Sequence, residues 1–261
     1  MALTLPGRAI AFVGRGTISF FREMGRFGIL MARVFREMRG ILADRDLFFQ
    51  ECVTLGVDSL PLVIVVGVFT GAVAGWQGHY QLQGFAPYDL IGPATFKAVM
   101  LELGPVLTAL VIAGRVSASI AAEIGTMKVT EQIDALESMA ISSVRFLAVP
   151  RIAAMTVMMP MLVIQAVTVA MFGAFFVLTV FLSMTSQQFW GLIPNFFLIF
   201  DVFSGLLKAL LFGLSSAMIG CYVGFRTEGG AEGVGQATIK AFVWACLTIL
   251  VLDFTLALIL F

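Results

Sequence analysis

The sequence predicts an all-α integral membrane protein: an N-terminal interfacial amphipathic helix followed by five transmembrane helices. Three observations carry this. Of 261 residues, 60% are hydrophobic and only 12% are charged, whereas a soluble domain carries about 25% charged residues. Several apolar runs reach the roughly 20 residues that cross a hydrocarbon core as a helix. The arginines of the N-terminal region fall on one helical face. A transmembrane β-barrel would instead be written as short alternating segments, and the chain contains none.

In residues 12–42, at about 100° per residue, Arg15, Arg22, Arg26 and Arg33 lie on one side of a helix. Phe20, Met24, Phe27, Met31, Val34, Phe35 and Met38 lie on the other. That division suits a helix lying in the membrane plane, guanidinium groups among anionic headgroups and apolar face among acyl chains. The less favoured alternative is an amphipathic helix packed on another protein surface. Glu23, Glu37 and the scarcity of serine argue against a transit peptide.

The first span is read at 60–82, where Gly67, Gly71 and Gly75 form a small-residue face that lets another helix approach closely. Trp76, His79 and Tyr80 mark its far end as interfacial. The remaining spans are read at 93–122, 151–183 (with Pro160 available for a bend), 202–225 and 237–261, residues 1–261 forming one domain. Lysine and arginine orient them. The loops around 80–92 and 184–200 contain neither, whereas the N-terminal region, the 123–151 segment and the turn near Arg226 and Lys240 carry them. The positive-inside rule therefore predicts a cytoplasmic N-terminus and a C-terminus outside.

Three ionisable residues, Glu102, Lys208 and Asp253, sit inside apolar spans at similar distances from the outer helix ends. A lone charge there costs at least a few kcal/mol, so such residues pair or face an aqueous cavity. Equal depth on three helices makes mutual pairing the expectation. The structural alternative is a stabilising network with no transport role.

The composition excludes much else. Zero formal net charge gives no reason to expect nucleic acid, and Cys52, Cys221 and Cys246 are far apart, small core residues and not a disulfide or metal framework. No lysine follows a glycine, which removes the phosphate loop of nucleotide hydrolases, and a single histidine leaves no metal-binding or catalytic histidine pattern. The chain reads as a non-enzyme without a metal site, so uphill movement would need a partner or an ion gradient. From about 130 to 140, Ile133, Leu136 and Met139 recur at helical spacing with Glu131, Asp134 and Glu137 between them. A short amphipathic helix between spans suits the receipt of force from a soluble motor, and equally a helix lying on the membrane.

Beyond spacing, ELGPVLTALVIAGR, AAEIGTM and VTEQIDALESMAI, in that order, resemble the signature of the MlaE/YrbE permease family of lipid ABC transporters. GVFTGAVAGWQG and LDFTLALILF extend the resemblance over nearly the whole chain. It implies a homodimeric permease of the bacterial inner membrane that moves phospholipids between inner and outer membranes. The implied partners are a cytoplasmic ABC ATPase, an MCE-domain lipid-binding protein on the periplasmic side and commonly a STAS-domain protein. ATP and Mg are expected on the ATPase, with no cofactor on this chain. Glu131, Ile133, Asp134, Leu136, Glu137 and Met139 match the family's coupling helix, and Glu102, Lys208 and Asp253 its intramembrane polar cluster. Trp76, Leu82 and Phe85 are the expected cavity-lining residues. Two departures stand out: Leu101 where many members have arginine, and Ser142-Ser143 where many have Asp-Pro. An ion-coupled secondary carrier of a lipid or other amphiphile, using the same buried charges, is the alternative of a different class.

Overall fold

Long apolar runs interrupted by glycine, proline and charge become long helices joined by short turns. The computed structural model describes residues 5–38, 45–84 and 87–261, and the side chains of 5–17, 19 and 20 lie outside that description. Phe85 and the side chains of Arg15 and Phe20 are therefore outside the described residues. The helices are α1 (Leu5–Glu37), α2 (Arg45–Leu82), α3 (Tyr88–Val129), α4 (Gln132–Ser138), α5 (Val144–Leu182), α6 (Ser186–Trp190), α7 (Ile193–Phe196), α8 (Ile199–Phe225) and α9 (Gly230–Leu260). No strand occurs among the described residues. Five helices, α2, α3, α5, α8 and α9, are long and apolar enough to cross a membrane.

Each contains the corresponding predicted apolar run, with α5 and α9 stopping one residue short of it. They extend past these runs mainly at the end where α4 lies. α2 begins at Arg45 instead of 60, and α5 at Val144 instead of 151. The reason is physical: apolarity ends where water begins, but backbone hydrogen bonding continues for several turns beyond it.

Small residues set the helix pairing. A Cβ on Gly71 would overlap the Ala170 carbonyl, and one on Gly67 or Gly75 would come to 3.0 Å from Ala166 or Ala174. The glycine face of α2 thus lies on an alanine face of α5, and the two backbones meet directly. α8 fills the centre, burying Ala209, Phe212, Ala217 and Met218 against Ile112, Ile120, Ile152, Met155 and Met159. A smaller core, Ile91, Met171, Leu178, Met184 and Phe189, closes the end opposite α4. α9 is held by one stripe only: Ala237, Ala241, Ala245 and Ile249 are its buried residues.

The apolar face of α1 divides between two environments. Val34 is fully buried, while Phe27, Leu30 and Met38 are partly buried against the core. Phe21, Met24, Ile29, Met31 and Phe35 are exposed.

Candidate functional site

The second span is not a regular helix. α3 contains two five-residue π-helical segments, Val99–Leu103 and Ala113–Ser117. Such wide turns re-aim side chains and frequently occur at functional sites. Glu102 lies in the first, two residues before Gly104 and three before Pro105. Proline has no N–H, so Pro105 cannot supply the i→i−4 hydrogen bond to the Leu101 carbonyl. That oxygen accepts from a side chain of another helix.

The donor is Lys208. Its Nζ, completely buried, donates to the Leu101 carbonyl at 3.3 Å, to Glu102 Oε1 at 2.7 Å and to Asp253 Oδ1 at 2.9 Å. An ammonium has three donors and no acceptor, and all three are used. α8 comes near enough because of Gly205, one turn earlier, where a Cβ would lie 2.7 Å from the Met100 carbonyl oxygen. The three charges predicted from separate spans are therefore one contact network joining α3, α8 and α9. Its exposure is graded: the Lys208 side chain is 0% exposed, Asp253 21% and Glu102 44%. Glu102 is the edge of the network that an approaching group would meet.

A second ion pair lies nearer the α6 end, between Lys97 Nζ and Asp201 Oδ2 at 3.5 Å. Sequence reading missed it because Lys97 lies near the start of its predicted span and Asp201 just before another, where charges are common. The signal existed in the register: Asp201 precedes Lys208 by two turns on α8, and both are buried. Helices α3 and α8 thus pair charge with charge twice, in opposite polarity.

At the α4 end a third group was also missed. Arg151, at the start of α5, donates to the Leu147 carbonyl at 3.3 Å and to Glu123 Oε2 of α3 at 2.9 Å. Its Nε lies 3.2 Å from Glu51 Oε1 of α2, within ion-pair reach but off-line for a hydrogen bond. Nearby, Arg115 in the second π-helical segment donates to Ser59 Oγ and, at 3.4 Å, to the Thr54 carbonyl, tying α3 to α2.

The predicted coupling segment is a helix, though shorter than expected: α4 covers Gln132–Ser138. Ile133 is buried and Leu136 is partly buried against the core, while Glu131, Asp134, Glu137 and Met139 are exposed. Asp134 accepts from Lys128 Nζ at 2.8 Å. The two serines that depart from the family pattern are both engaged. Ser143 Oγ donates to Glu137 Oε1 at 2.8 Å, and Ser142 Oγ donates to Glu37 Oε2 of α1 at 2.9 Å. Glu131 and Ala140, bracketing α4, both adopt left-handed backbone, at φ 60° and 59°.

The other predicted residues fall elsewhere. Trp76 is half-exposed on α2, its ring 6.0 Å from that of Phe181, and Leu82 packs on the small core with Ile91 and Phe189. Gly67, Gly71 and Gly75 face α5. Arg22, Arg26 and Arg33 are exposed on α1.

Comparison with known proteins follows the same lines. The family model described as Permease MlaE matches residues 48–259. The intermembrane phospholipid transport system permease protein MlaE of Haemophilus influenzae is 34% identical over 97% of this chain and 97% of its own length. A probable ABC transporter permease protein of Rickettsia typhi is 34% identical over 95% of this chain and 96% of its own. A probable ABC transporter permease protein of Synechocystis is 34% identical over 93% of each. With five membrane-length helices and matches across nearly its whole length, the chain belongs to the MlaE permease family.

Proposed function

We propose that this chain is the transmembrane permease of an ATP-driven transporter that moves phospholipids between the inner and outer membranes of a bacterium. The observation that carries the reading is the end-to-end match to a phospholipid transport permease, 97% of each chain at 34% identity. ATP hydrolysis belongs to a separate ABC-type subunit in this family, so this chain supplies the path and not the fuel.

In this reading the chain works as a homodimer in the inner membrane, N-terminus cytoplasmic and C-terminus outside. α1 lies at the cytoplasmic surface, its exposed Phe21, Met24, Ile29 and Phe35 among acyl chains. The ATPase, with its ATP and Mg, docks on α4 through exposed Glu131, Asp134, Glu137 and Met139, while buried Ile133 roots α4 in the bundle so that force is passed on. An MCE-domain protein receives lipid on the outer side, and a STAS-domain protein joins the motor. The exposed apolar face of α2, with Val65, Phe69, Val73 and Trp76, forms part of a cavity wall in the dimer. The Lys208 network offers the amine of a lipid headgroup an acceptor at the exposed Glu102 carboxylate. It gates the outer mouth by holding α3, α8 and α9 together.

The test is reconstitution in proteoliposomes with the co-expressed ATPase, following a fluorescent phospholipid. ATP-dependent transfer, lost in Lys208→Ala and Asp253→Ala at normal expression, is the expected result. Transfer driven by a pH gradient without ATP would instead establish the ion-coupled carrier.

A further inference from the structure

A pocket of about 350 Å³ opens at the α4 end, between α1, α4, the start of α5 and the end of α8. Its lining is divided by chemistry. Leu30, Val144 and Phe225 form an apolar floor, and four cations, Arg26, Arg33, Lys128 and Arg226, surround it. One carboxylate, Glu137, belongs to the lining, and it accepts from Ser143 Oγ at 2.8 Å.

The carboxylates nearby do not satisfy all four cations. Glu23 on α1 holds Arg226 and the Tyr222 hydroxyl and lies 3.7 Å from Arg26. Asp134 holds Lys128 at 2.8 Å. Arg33 has no carboxylate within ion-pair distance among the described residues. Glu137 and Glu228 also lie near enough to act on Lys128, so Arg33 is the cation left for an outside anion. The four cations come from three separate elements, and the tertiary fold, not one basic run, groups them. A guanidinium binds phosphate oxygens bidentately, and a lysine beside it adds a point charge. Basic pockets between membrane helices on the cytoplasmic side hold anionic headgroups.

We propose that this pocket is a binding site for a phosphate-bearing anion, the headgroup of an anionic phospholipid or free phosphate, that fastens α1 to the bundle. The apolar floor favours the lipid, since it offers the first methylenes of an acyl chain a dry surface beside the phosphate. The site is distinct from the Lys208 network, which lies in the opposite half of the bundle. A bound lipid would couple the membrane surface to α4 through Lys128, Asp134 and Glu137. The inference rests on the reading that α1 lies on a membrane.

Lys128 is the reporter, because the chain has few lysines and Lys240, exposed on α9, serves as an internal reference. The full-length protein is placed in nanodiscs of phosphatidylcholine alone or with phosphatidylglycerol, and amine acetylation is read by mass spectrometry. The expected result is at least fivefold protection of Lys128 relative to Lys240 in phosphatidylglycerol, abolished by Arg33→Gln. Protection in phosphatidylcholine discs by millimolar inorganic phosphate, without any effect of phosphatidylglycerol, would keep the anion site and assign it to the soluble source. Equal labelling under all these conditions overturns the proposal, as does protection that appears only on adding an ATPase subunit. An environment-sensitive fluorophore at Met24→Cys, made in a background where Cys52, Cys221 and Cys246 are replaced by serine or alanine, separates the two failures. Fluorophore in lipid with Lys128 unprotected refutes the pocket alone, and fluorophore in water refutes the placement of α1.

Discussion

Lys208 and Arg151 each sit between two carboxylates from neighbouring spans, at opposite ends of one bundle, and yet they are different devices. Arg151 takes up a carbonyl of its own helix turn, Leu147, and spreads a planar fork between α2 and α3. The fork fixes direction as well as charge. Lys208 takes up a carbonyl of another helix, one that Pro105 has deprived of its normal donor, and its ammonium is a compact point charge on a flexible stem. Every one of its bonds crosses between helices. The arginine group is built as a clamp. The lysine group is built so that moving α3, α8 or α9 breaks a named bond.

Removing the cation is the largest expected perturbation. Lys208→Ala leaves Glu102 and Asp253 facing each other in a low-dielectric setting, a change that costs about 3–5 kcal/mol when a buried pair is broken. Thermal unfolding in detergent and the yield in membranes should both fall sharply, and transport should be lost. Arg151→Ala should cost less, about 1–3 kcal/mol, because Glu51 and Glu123 lie outside the predicted apolar spans, where water can replace the lost partner. Equal losses in the two variants would remove the distinction drawn above.

That comparison also shows what the sequence made legible. Glu102, Lys208 and Asp253 stood out because each interrupts an apolar run, where charge has no ordinary reason to be. Glu51, Glu123 and Arg151 lie at helix ends, where charges are common, so nothing in one dimension set them apart. The family resemblance and the five long helices were readable from long patterns. The π-helical segments were not, since a wide turn depends on tertiary contacts that no local spacing encodes. Lys97 and Asp201 were hidden for the same reason as Arg151. The use of Ser142 depended on Glu37, 105 residues away.

A second test replaces each whole network by neutral residues. Buried ion pairs exchanged for groups of similar shape are often neutral for stability. Lys208→Met with Glu102→Gln and Asp253→Asn should recover stability to within about 2 kcal/mol of the wild type while transport stays absent. Arg151→Met with Glu51→Gln and Glu123→Gln should recover both. Transport restored in the first variant would reduce the Lys208 network to a structural one.

Pro105→Ala acts on the same network without touching a charge. It returns an N–H to the Leu101 carbonyl, so Lys208 must share or surrender its third acceptor. Helix stability should hold or rise, since alanine is the better helix former. Transport should slow several-fold, in line with about 1 kcal/mol for one hydrogen bond. Unchanged transport kinetics would mean that the bond to Leu101 is incidental.

The smallest effect lies at the α4 end and asks whether the clamp side is rigid by design. Ala140 closes α4 at φ 59°, in the left-handed region that a Cβ disfavours by about 1 kcal/mol. Ala140→Gly should therefore raise the unfolding midpoint slightly, because relief of strain outweighs the added freedom of the unfolded chain. The informative readout is coupling. If left-handed closure at Ala140 and Glu131 holds α4 in one pose for its motor, the glycine variant should be as stable or more so. It should nevertheless transport less lipid per ATP hydrolysed, since α4 gains freedom to yield under load. A variant both more stable and fully coupled would show that the pose is set by Ile133 and the Ser143–Glu137 bond.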